Sequence, residues 1–273
     1  MNFLRRELAP VTTEGWTEID AFATQALTAV LAGRRFVDLD GPHGLAYASV
    51  PLGRLALPET QPAPQSANGG SVSWGVHQVL PLVEARIPFT LKIWELDNLE
   101  RGARDPALDA LTEACHTIAA FEDQAIFNGF APAGIAGLHQ SAQGAPIALK
   151  REDNAFVEAV AEARTRLRKA GIRGGANLAV SGAIWKFLAH PTAGGTLRAD
   201  IERQIEGKVI YAELAHDALL LAARGGDAEL TVGQDFAIGY QGHTSSEVSL
   251  FLTESFTFRV VAPEALVAFT LAA

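Results

Sequence analysis

The stretch FTLKIWELDNLERGARD, residues 89–105, changes character half-way along its length. Phe89, Leu91 and Ile93 alternate with polar residues, and this pattern predicts a half-buried strand. Charged side chains then crowd around Trp94, at positions 95, 97, 100, 101, 104 and 105. These carboxylates could form an acid–base site, or they could be charged joints that hold one copy of the chain to another. Because acids and arginines interleave here, salt bridges within or between chains fit better than a buried catalytic acid beside a cleft.

The segment after this stretch predicts a long helix. Asp105 can cap it, Pro106 fits its first turn, and Gly129 lies at its far end. Between these points, apolar residues recur at spacings of three and four, as on the buried face of a helix. That face comprises Leu108, Leu111, Cys115, Ile118, Ala119, Ile126 and Phe127.

A second helix is predicted near the N-terminus. Thr12 or Thr13 can cap it, and Gly33 supplies its C-terminal stop. Its apolar stripe is expected to cover the core of the chain itself. The stripe comprises Trp16, Ile19, Ala23, Ala26 and Val30, widened by Phe22 and Leu27.

Residues 48–93 hold the least globular part of the sequence. Two extended-looking arms, residues 52–57 and 71–76, flank PETQPAPQSANGG (residues 58–70), which has three prolines and no apolar anchor beyond alanines. A lone two-stranded arm is marginally stable in water, and a tip of this composition cannot bury itself. The arm therefore needs a partner, either elsewhere in the chain or in a neighbouring copy.

The remainder of the chain mixes helices and strands. Residues 153–171 predict a helix, and residues 176–181 (ANLAVS) predict a buried strand. From residue 208 to residue 261 the pattern is mostly that of strands separated by glycine- and aspartate-containing turns. Because helices and strands do not alternate regularly, the predicted class is α+β rather than a doubly wound sheet.

Length and composition limit the class of protein. The 273 residues suit one large domain or two modest ones, and 48% hydrophobic residues supply a well-filled core. The net charge of −9 argues against nucleic acid or an anionic membrane as a partner. No segment approaches the roughly 20 apolar residues of a membrane span, and no apolar run follows the N-terminal arginines as in a signal peptide. We therefore expect a cytoplasmic protein.

Motifs for catalysis and metal binding are missing from the sequence. There is no P-loop, G-x-G-x-x-G, H-E-x-x-H or G-x-S-x-G motif, and no two of the 7 histidines are four residues apart. The D-x-D-G at residues 38–41 lacks the later ligands of a calcium loop. Cys115 is the single cysteine, so no intrachain disulfide can form, and its apolar helical surroundings predict a buried thiol. We predict no catalytic residue and no metal site.

Six segments of the sequence, taken in order, resemble one known family. They are residues 3–20 (FLRRELAPVTTEGWTEID), 33–44 (GRRFVDLDGPHG), 94–102 (WELDNLERG), 121–129 (FEDQAIFNG), 230–240 (LTVGQDFAIGY) and 252–266 (LTESFTFRVVAPEAL). Their order and spacing are similar to those of the encapsulins, the linocin-type nanocompartment shell proteins of bacteria and archaea. The resemblance covers nearly the whole chain and implies the α+β fold of HK97 phage capsid proteins.

The resemblance also implies a division into a peripheral domain, an axial domain and an extended hairpin, the E-loop. Residues 1–47 would form the N-terminal helix and arm of the peripheral domain, and residues 48–93 the E-loop with its flanking strands. Residues 94–131 would hold the spine helix, residues 132–224 the axial domain, and residues 225–273 the C-terminal strands of the peripheral domain.

The function implied by the resemblance is that of a self-assembling shell protein and not of an enzyme. Copies of the chain would close into an icosahedral compartment, of sixty copies in the smallest case, around a cargo enzyme. The cargo, such as a dye-decolorising peroxidase or a ferritin-like protein, would dock a C-terminal targeting peptide on the inner wall. The resemblance implies a docking groove formed by Phe22, Ala26, Leu27, Val30, Arg34, Asp38, Phe236, Ile238 and Tyr240.

Two further features follow from the same resemblance. Small molecules would pass a loop at the five-fold axis, formed by His190, Pro191, Thr192, Ala193, Gly194, Gly195 and Thr196. No cofactor is required, but some family members hold a flavin on a tryptophan at the position of Trp94. Two alternatives therefore stay open: a flavin-binding shell or enzyme centred on Trp94 and Arg86, and a phage-type major capsid protein of the same fold.

Overall fold

The computed structural model describes residues 3–57, 72–193, 195–213 and 218–271. Its helices in these ranges are α1 (Thr13–Val30), α2 (Ile93–Glu100), α3 (Asp109–Asn128), α4 (Leu138–Ser141), α5 (Asp153–Lys169), α6 (Gly182–Phe187) and α7 (Leu197–Ile205). Its strands there are β1 (Asp38–Asp40), β2 (Ser49–Ala56), β3 (Val76–Pro81), β4 (Val83–Lys92), β5 (Ile147–Leu149), β6 (Ala176–Val180), β7 (Pro191–Thr192), β8 (Gly195–Thr196), β9 (Val209–Tyr211), β10 (Ala218–Ala222), β11 (Ala228–Val232), β12 (Ala237–His243), β13 (Glu247–Val260) and β14 (Leu266–Leu271). The mixed α+β class is confirmed.

The first sheet is built around the long strand β13. β4 runs antiparallel to one edge of β13, and β12 and β11 pair antiparallel with successive parts of its other edge. β1 adds a short parallel edge to β11. Phe89 and Leu91 of β4 point into the core under α1 and α3, as their alternation predicts. This core holds the predicted apolar stripe of α1 and the first part of the stripe of α3.

The second sheet has the strand order β5-β14-β10-β6-β9. Strands β6 and β10 are almost fully buried, because α5 and α7 pack against this sheet. The C-terminal strand β14 pairs antiparallel with β10 and parallel with β5. The chain end at Leu266–Leu271 is therefore part of the sheet of residues 132–224, which differs from the predicted division that assigned all of residues 225–273 to the peripheral domain.

Helix α3 passes through both cores. Its first turns, at Leu111 and Cys115, lie in the core of the first sheet, and its last turns, at Ile126 and Phe127, lie in the core of the second sheet. A helix of this length spans about 30 Å, which suits the predicted spine. The two sheets are thus joined by one continuous buried helix.

Helix α3 begins later than the sequence predicted. Asp105 does not cap it; the helix begins at Asp109, after the N-cap residue Leu108. The backbone N–H of Ala107 donates to Glu95 Oε2 at 3.1 Å, and the N–H of Leu108 donates to the carbonyl of Pro106. Residues 106–108 therefore form a turn held against α2 instead of a first helical turn.

The charged half of the opening stretch is itself helical. Strand β4 ends at Lys92, and Ile93–Glu100 forms α2, so the predicted extension of the strand to Ile93 is one residue too long. Within α2, Asp97 and Arg101 lie 3.7 Å apart as an i, i+4 ion pair. Two of the charged residues in this segment, Asp97 and Arg101, are therefore paired within the chain.

The predicted arm is present as the β2–β3 hairpin. The two strands pair antiparallel from Ser49↔Pro81 to Ala56↔Val76. Large apolar side chains along it are exposed, among them Leu57 at 71%, Val72 at 59% and Val76 at 58%. The tip, residues 58–71, lies outside the described residues. Within one chain the described part of the arm leaves apolar surface uncovered, as the sequence predicted.

Helix α1 starts at the predicted cap but ends before the predicted stop at Gly33. Thr12 Oγ1 accepts the N–H of Gly15 at 3.1 Å, which is an N-cap hydrogen bond. The helix ends at Val30, and Gly33 opens a 3-10 turn, Gly33–Arg35. A Cβ at Gly33 would meet the side chains of Ile126 and Asp123, so a larger residue here would require these two side chains of α3 to shift.

Candidate functional site

A groove of about 300 Å³ lies beside the C-terminal end of α1. Its apolar lining consists of Leu27 and Leu31, which are buried, and Phe236, which is half-buried just before β12. Its polar lining consists of Thr24, Thr28, Arg34, Arg35 and Asp235. The groove therefore combines an apolar floor with hydroxyl and charged groups along its sides.

Arg34 is held by three carboxylates. Its Nε lies 3.0 Å from both oxygens of Glu122, and its Nη2 lies 2.7 Å from Glu122 Oε2. Its Nη1 donates to Asp235 Oδ1 at 2.8 Å, and Nη2 reaches Glu254 Oε2 at 3.4 Å. Burial by itself lowers the pKa of Arg34, but the hydrogen bonds and charges of Glu122 and Asp235 outweigh it and raise that pKa. Arg34 therefore stays charged.

The same guanidinium shapes the wall of the groove. It lies over the ring of Phe236, 4.5 Å from the ring centroid, which is within the range of a cation–π interaction. Asp235 Oδ1 also accepts the backbone N–H of Phe236 at 2.8 Å. Arg34 and Asp235 together fix the position of the Phe236 ring.

Glu122 and Glu254 are both fully buried, and Arg34 alone cannot balance both charges. Each has a side-chain exposure of 0%. Oε1 of Glu254 has no hydrogen-bond partner among the residues that the structure describes. Burial raises the pKa of Glu254 well above its ordinary value, and the charge of Glu122 raises it further. Glu254 therefore keeps its proton to a higher pH than an exposed glutamate does.

Asp123 ties the end of α1 to α3. Its two oxygens accept the backbone N–H groups of Ala32 at 3.0 Å and Gly33 at 2.7 Å. Burial raises the pKa of Asp123 to about 6, although these two hydrogen bonds act in the opposite direction. These bonds fix the 3-10 turn that carries Arg34, and Glu122 binds the guanidinium directly. Two neighbouring residues of α3 therefore set the position of the guanidinium.

The structure brings together part of the predicted docking groove. Leu27, Arg34 and Phe236 line the same cavity. Phe22 lines a separate cavity of about 580 Å³ between α1 and residues 99–108, and Val30 lines a third cavity beside α3. The predicted residues of α1 are thus distributed over several sides of the helix.

The other predicted groove residues have contacts of their own. Asp38 Oδ2 accepts the backbone N–H of Gly226 at 2.6 Å. Ile238 is buried in the core of the first sheet, and Ala26 and Tyr240 pack against that core. None of these four residues lines the cavity that holds Arg34.

Three residues of this site were not predicted from the sequence, namely Glu122, Glu254 and Asp235. Glu122 stands on the apolar stripe of α3, and Glu254 alternates in register with Leu252 and Phe256 along β13. A charged residue at a core position needs a buried partner of opposite charge. Applied to these two acids, that rule would have pointed to a buried arginine.

The predicted pore loop is a short hairpin. β7 and β8 pair antiparallel, Pro191 with Thr196 and Thr192 with Gly195. Thr196 Oγ1 caps α7 by accepting the N–H of Ala199 at 3.3 Å, and the ring of His190 packs on Phe187 at 5.3 Å. His190 and Ala193 are exposed, and Gly194 lies outside the described residues.

The two residues of the predicted flavin site lie far apart in one chain. Arg86 is near the start of β4, and Trp94 follows the end of that strand, so about 20 Å of extended chain separates them. The Arg86 guanidinium contacts the rings of Phe3 and Phe251, at 4.9 Å and 4.3 Å from their centroids, and these two rings meet edge to face. Trp94 is 70% exposed. The chain therefore does not form one pocket from both residues.

The described residues show no group of three or more His, Cys, Asp or Glu side chains that could hold a metal ion. Cys115 is buried, as predicted, and burial raises its pKa to about 11, so its thiol stays protonated at neutral pH. In the ranges that the structure describes, no helix is long and apolar enough to cross a membrane.

Comparison with known proteins identifies the family. Residues 1–257 match the family model Linocin_M18, described as "Encapsulating protein for peroxidase". The chain is 40% identical over 270 residues to the type 1 encapsulin shell protein of Rhodospirillum rubrum, a match that covers 98% of this chain and 96% of that protein. The chain belongs to the encapsulin shell-protein family. Encapsulin shell proteins are structural proteins, so this member is a self-assembling shell protein and not an enzyme.

Solved structures show that this encapsulin has the HK97-type capsid fold. The virus-like particle from Pyrococcus furiosus aligns with a TM-score of 0.62 and 14% identity, over 92% of this chain and 97% of that one. The capsid of an empty GTA particle aligns with a TM-score of 0.58 and 13% identity, over 89% and 90%. Because the capsid likeness is one of fold alone, the encapsulin family is favoured over the phage-type major capsid alternative.

Proposed function

We propose that the shell formed by this chain encloses a cargo enzyme, and that the groove beside α1 binds a C-terminal targeting peptide of that cargo. The family description names peroxidase as the encapsulated protein, and a peroxidase is the cargo we propose here. The assembly we propose is the smallest icosahedral shell, of sixty copies. The cytoplasmic location stays a prediction of the sequence.

The groove of Leu27, Leu31 and Phe236 is the observation that carries this proposal. It offers an apolar floor to the side chain of a peptide and polar groups to its backbone, as peptide-binding grooves do. Its walls are rigid, because Arg34 and Asp123 link α1, α3 and the segment before β12. A pre-formed groove loses little entropy when a flexible peptide binds.

The hairpin of residues 190–196 supports the proposed pore. Ala193 and Gly195 are exposed, and the methyl group of alanine and the lack of a side chain in glycine leave the backbone open at these two residues. In a ring of copies, such tips could line a narrow passage without bulky side chains in the way. The size of the passage would then be set by the hairpin backbone and by His190.

Co-expression with a peroxidase cargo tests the proposal. Negative-stain images of the purified protein should show uniform hollow spheres, with peroxidase co-purifying in the shell fraction. Thr28→Arg, at the exposed edge of the groove, should leave the shells intact and empty of peroxidase. Fully loaded shells from Thr28→Arg would contradict this assignment of the groove, and a compact monomer of the unchanged chain would contradict assembly itself.

A flavin stays a second, independent prediction that rests on Trp94. With an exposed fraction of 70%, its indole is free to stack on a planar ring. Arg86 is not available for such a site in the same chain, because its guanidinium already contacts the rings of Phe3 and Phe251. A flavin absorption band in purified shells that is lost in Trp94→Ala would support this prediction, and colourless shells would contradict it.

A further inference from the structure

A cavity of about 400 Å³ lies at the C-terminal end of α5 and shares no lining residue with the groove beside α1. Leu167 and Ile172, which are buried, form its apolar lining. Its polar lining consists of three arginines, two glycines and a glutamate, namely Arg164, Arg168, Arg173, Gly174, Gly175 and Glu206. Ligand sites usually measure about 300–1,000 Å³, so this cavity, the α5 pocket, can hold a small molecule.

Arg164 is built into the wall of the α5 pocket. Its Nη1 donates to the carbonyls of Gly174 at 3.0 Å and Ile205 at 2.6 Å, and its Nη2 donates to Glu206 Oε1 at 3.1 Å. The Arg164 side chain is only 10% exposed. A Cβ at Gly175 would lie 2.3 Å from the carbonyl oxygen of Glu206, so glycine lets these two segments pack together. The wall is therefore fixed by buried contacts between α5 and the end of α7.

Arg168 and Arg173 differ from Arg164, because their guanidinium groups are exposed and have no partner in the part of the chain that the structure describes. They are not needed to cap α5 either. The N–H groups of Gly171 and Ile172 donate to the carbonyls of Arg168 and Leu167, which is the Schellman arrangement at a helix end. The last turn of α5 is thus satisfied by the backbone, and both arginines are free to bind a ligand.

The charges of the α5 pocket leave a positive surplus. Glu206 is the acid among its lining residues, and Arg164 binds that acid. The two positive charges of Arg168 and Arg173 then remain, although the chain as a whole carries a net charge of −9. An anion that enters the pocket would neutralise this surplus.

We propose that the α5 pocket binds a phosphate-type oxyanion, either inorganic or as the phosphoryl groups of a small molecule. Arg168 and Arg173 are the binding residues, because the N–H donors of a guanidinium match the spacing of phosphate oxygens. Arg164 and Glu206 are positioning residues, which hold the wall. Two linked phosphate groups suit the pocket better than one, since each free arginine can bind one of them.

Titration of purified shells with pyrophosphate and, separately, with inorganic phosphate tests this proposal. Isothermal titration calorimetry in a phosphate-free buffer of low salt should show saturable binding, tighter for pyrophosphate, with a rise in melting temperature at saturation. Equal affinity for the two anions would show that both arginines bind the same phosphate group. If neither anion binds saturably, the proposal is overturned.

A double substitution removes the free charges of the pocket. Arg168→Gln with Arg173→Gln should form shells, because both residues are exposed, and should raise the dissociation constant for pyrophosphate roughly tenfold or more. Arg151→Gln with Lys169→Gln is the matched control, since it removes the same charge from exposed residues outside the pocket. The control should bind as the unchanged chain does. An equal loss in the control would mean general charge attraction and would overturn the site.

Glu206→Gln distinguishes an anion site from a purely structural cluster. The amide keeps an oxygen for Arg164 Nη2, but it removes the negative charge from the pocket lining. The dissociation constant for pyrophosphate should therefore fall, roughly threefold or more, because a like charge no longer repels the ligand. Unchanged or weaker binding in this variant would contradict an anion bound beside Glu206.

A structure of the unchanged shell with pyrophosphate decides the matter even where a variant fails to assemble. The anion should lie within hydrogen-bond distance of Arg168 and Arg173. A carboxylate of a neighbouring copy in this cavity, or pyrophosphate bound elsewhere, would overturn the proposal.

Discussion

Arg34 and Glu122 form a side-on, doubly bonded ion pair in which Nε and Nη2 both face the same carboxylate, at 2.7–3.0 Å. Glu122 is fully buried and Arg34 nearly so. A pair of this kind contributes little net stability relative to apolar residues, yet the loss of one partner leaves an uncompensated buried charge. Its value to the fold therefore lies in holding α1, α3 and the segment before β12 in one arrangement.

Loss of Glu122 should destabilise the subunit strongly. Glu122→Ala removes the closest counter-charge of Arg34 and leaves only the partly exposed Asp235 and the more distant Glu254 beside it. The free energy of unfolding is expected to fall by about 3–5 kcal/mol, as measured by urea denaturation. Glu113→Ala, on the exposed side of the same helix, should change it by less than about 0.5 kcal/mol. Equal effects of the two substitutions would contradict the role of the buried pair.

Glu254 should make stability depend on pH. The ordinary pKa of a glutamate is 4.5, and burial raises that of Glu254 in the folded state. Above pH 4.5 the unfolded chain releases this proton while the folded chain keeps it, so stability falls as pH rises, until the raised folded-state pKa is passed. Glu254→Gln mimics the protonated form and should therefore lose less stability than the unchanged chain as the pH rises above 4.5.

Thermal unfolding at a series of pH values measures this difference. Glu247→Gln, an exposed position on the same strand, is the matched control, and its curve should stay parallel to that of the unchanged chain. A curve for Glu254→Gln that also stays parallel would show that Glu254 is ionised in the folded protein.

Arg86 should contribute to stability through its aromatic neighbours. Its guanidinium contacts the rings of both Phe3 and Phe251 and so ties the N-terminal segment to β13. Arg86→Ala is expected to lower the free energy of unfolding by about 1–2 kcal/mol, at about 0.5–1 kcal/mol for each ring. Arg86→Lys should recover part of this loss, because a lysine keeps the charge but not the flat stacking surface. An unchanged melting temperature in Arg86→Ala would rule out this contribution.

The exposed arm should matter for assembly and not for folding of the subunit. Trp74 and Val76 are exposed in a single chain at 40% and 58%, so replacing both by serine removes no intrachain core contact. We expect the double variant to lose the shell peak in size-exclusion chromatography while its circular dichroism spectrum stays unchanged. The same change at Leu45, which is 45% exposed outside the arm, should leave the shell peak in place. Shells from the arm variant would contradict the need for a partner copy.

The periodic parts of the fold could be predicted from the sequence. Helix α1 with its Thr12 cap, the strand through Phe89 and Leu91, and the buried strand β6 follow from local patterns, because each element alternates or repeats with its own period. The start of α3 could not be predicted in this way. Asp105–Pro106 has good local chemistry for a cap, but Glu95 binds the Ala107 N–H and a tertiary contact decides the boundary.

The site depended on contacts between distant parts of the chain. Only the family resemblance predicted that Leu27, Arg34 and Phe236 lie together, because more than 190 residues separate Leu27 from Phe236. The distance between Arg86 and Trp94 could not be predicted from the sequence either, because it depends on where β4 ends. The place of β14 in the second sheet has no signal in its short apolar pattern, which any buried sheet could have accepted.

The continuity of α3 through both cores has a consequence for how the subunit opens. Because one helix supplies Cys115 to the first core and Phe127 to the second, neither half can melt without exposing apolar surface of the other. Local fluctuations at the rim of the subunit need not disturb that shared helix. Amide hydrogens in the middle of α3 should accordingly exchange only by global unfolding, which makes the subunit a single cooperative unit in spite of its two sheets.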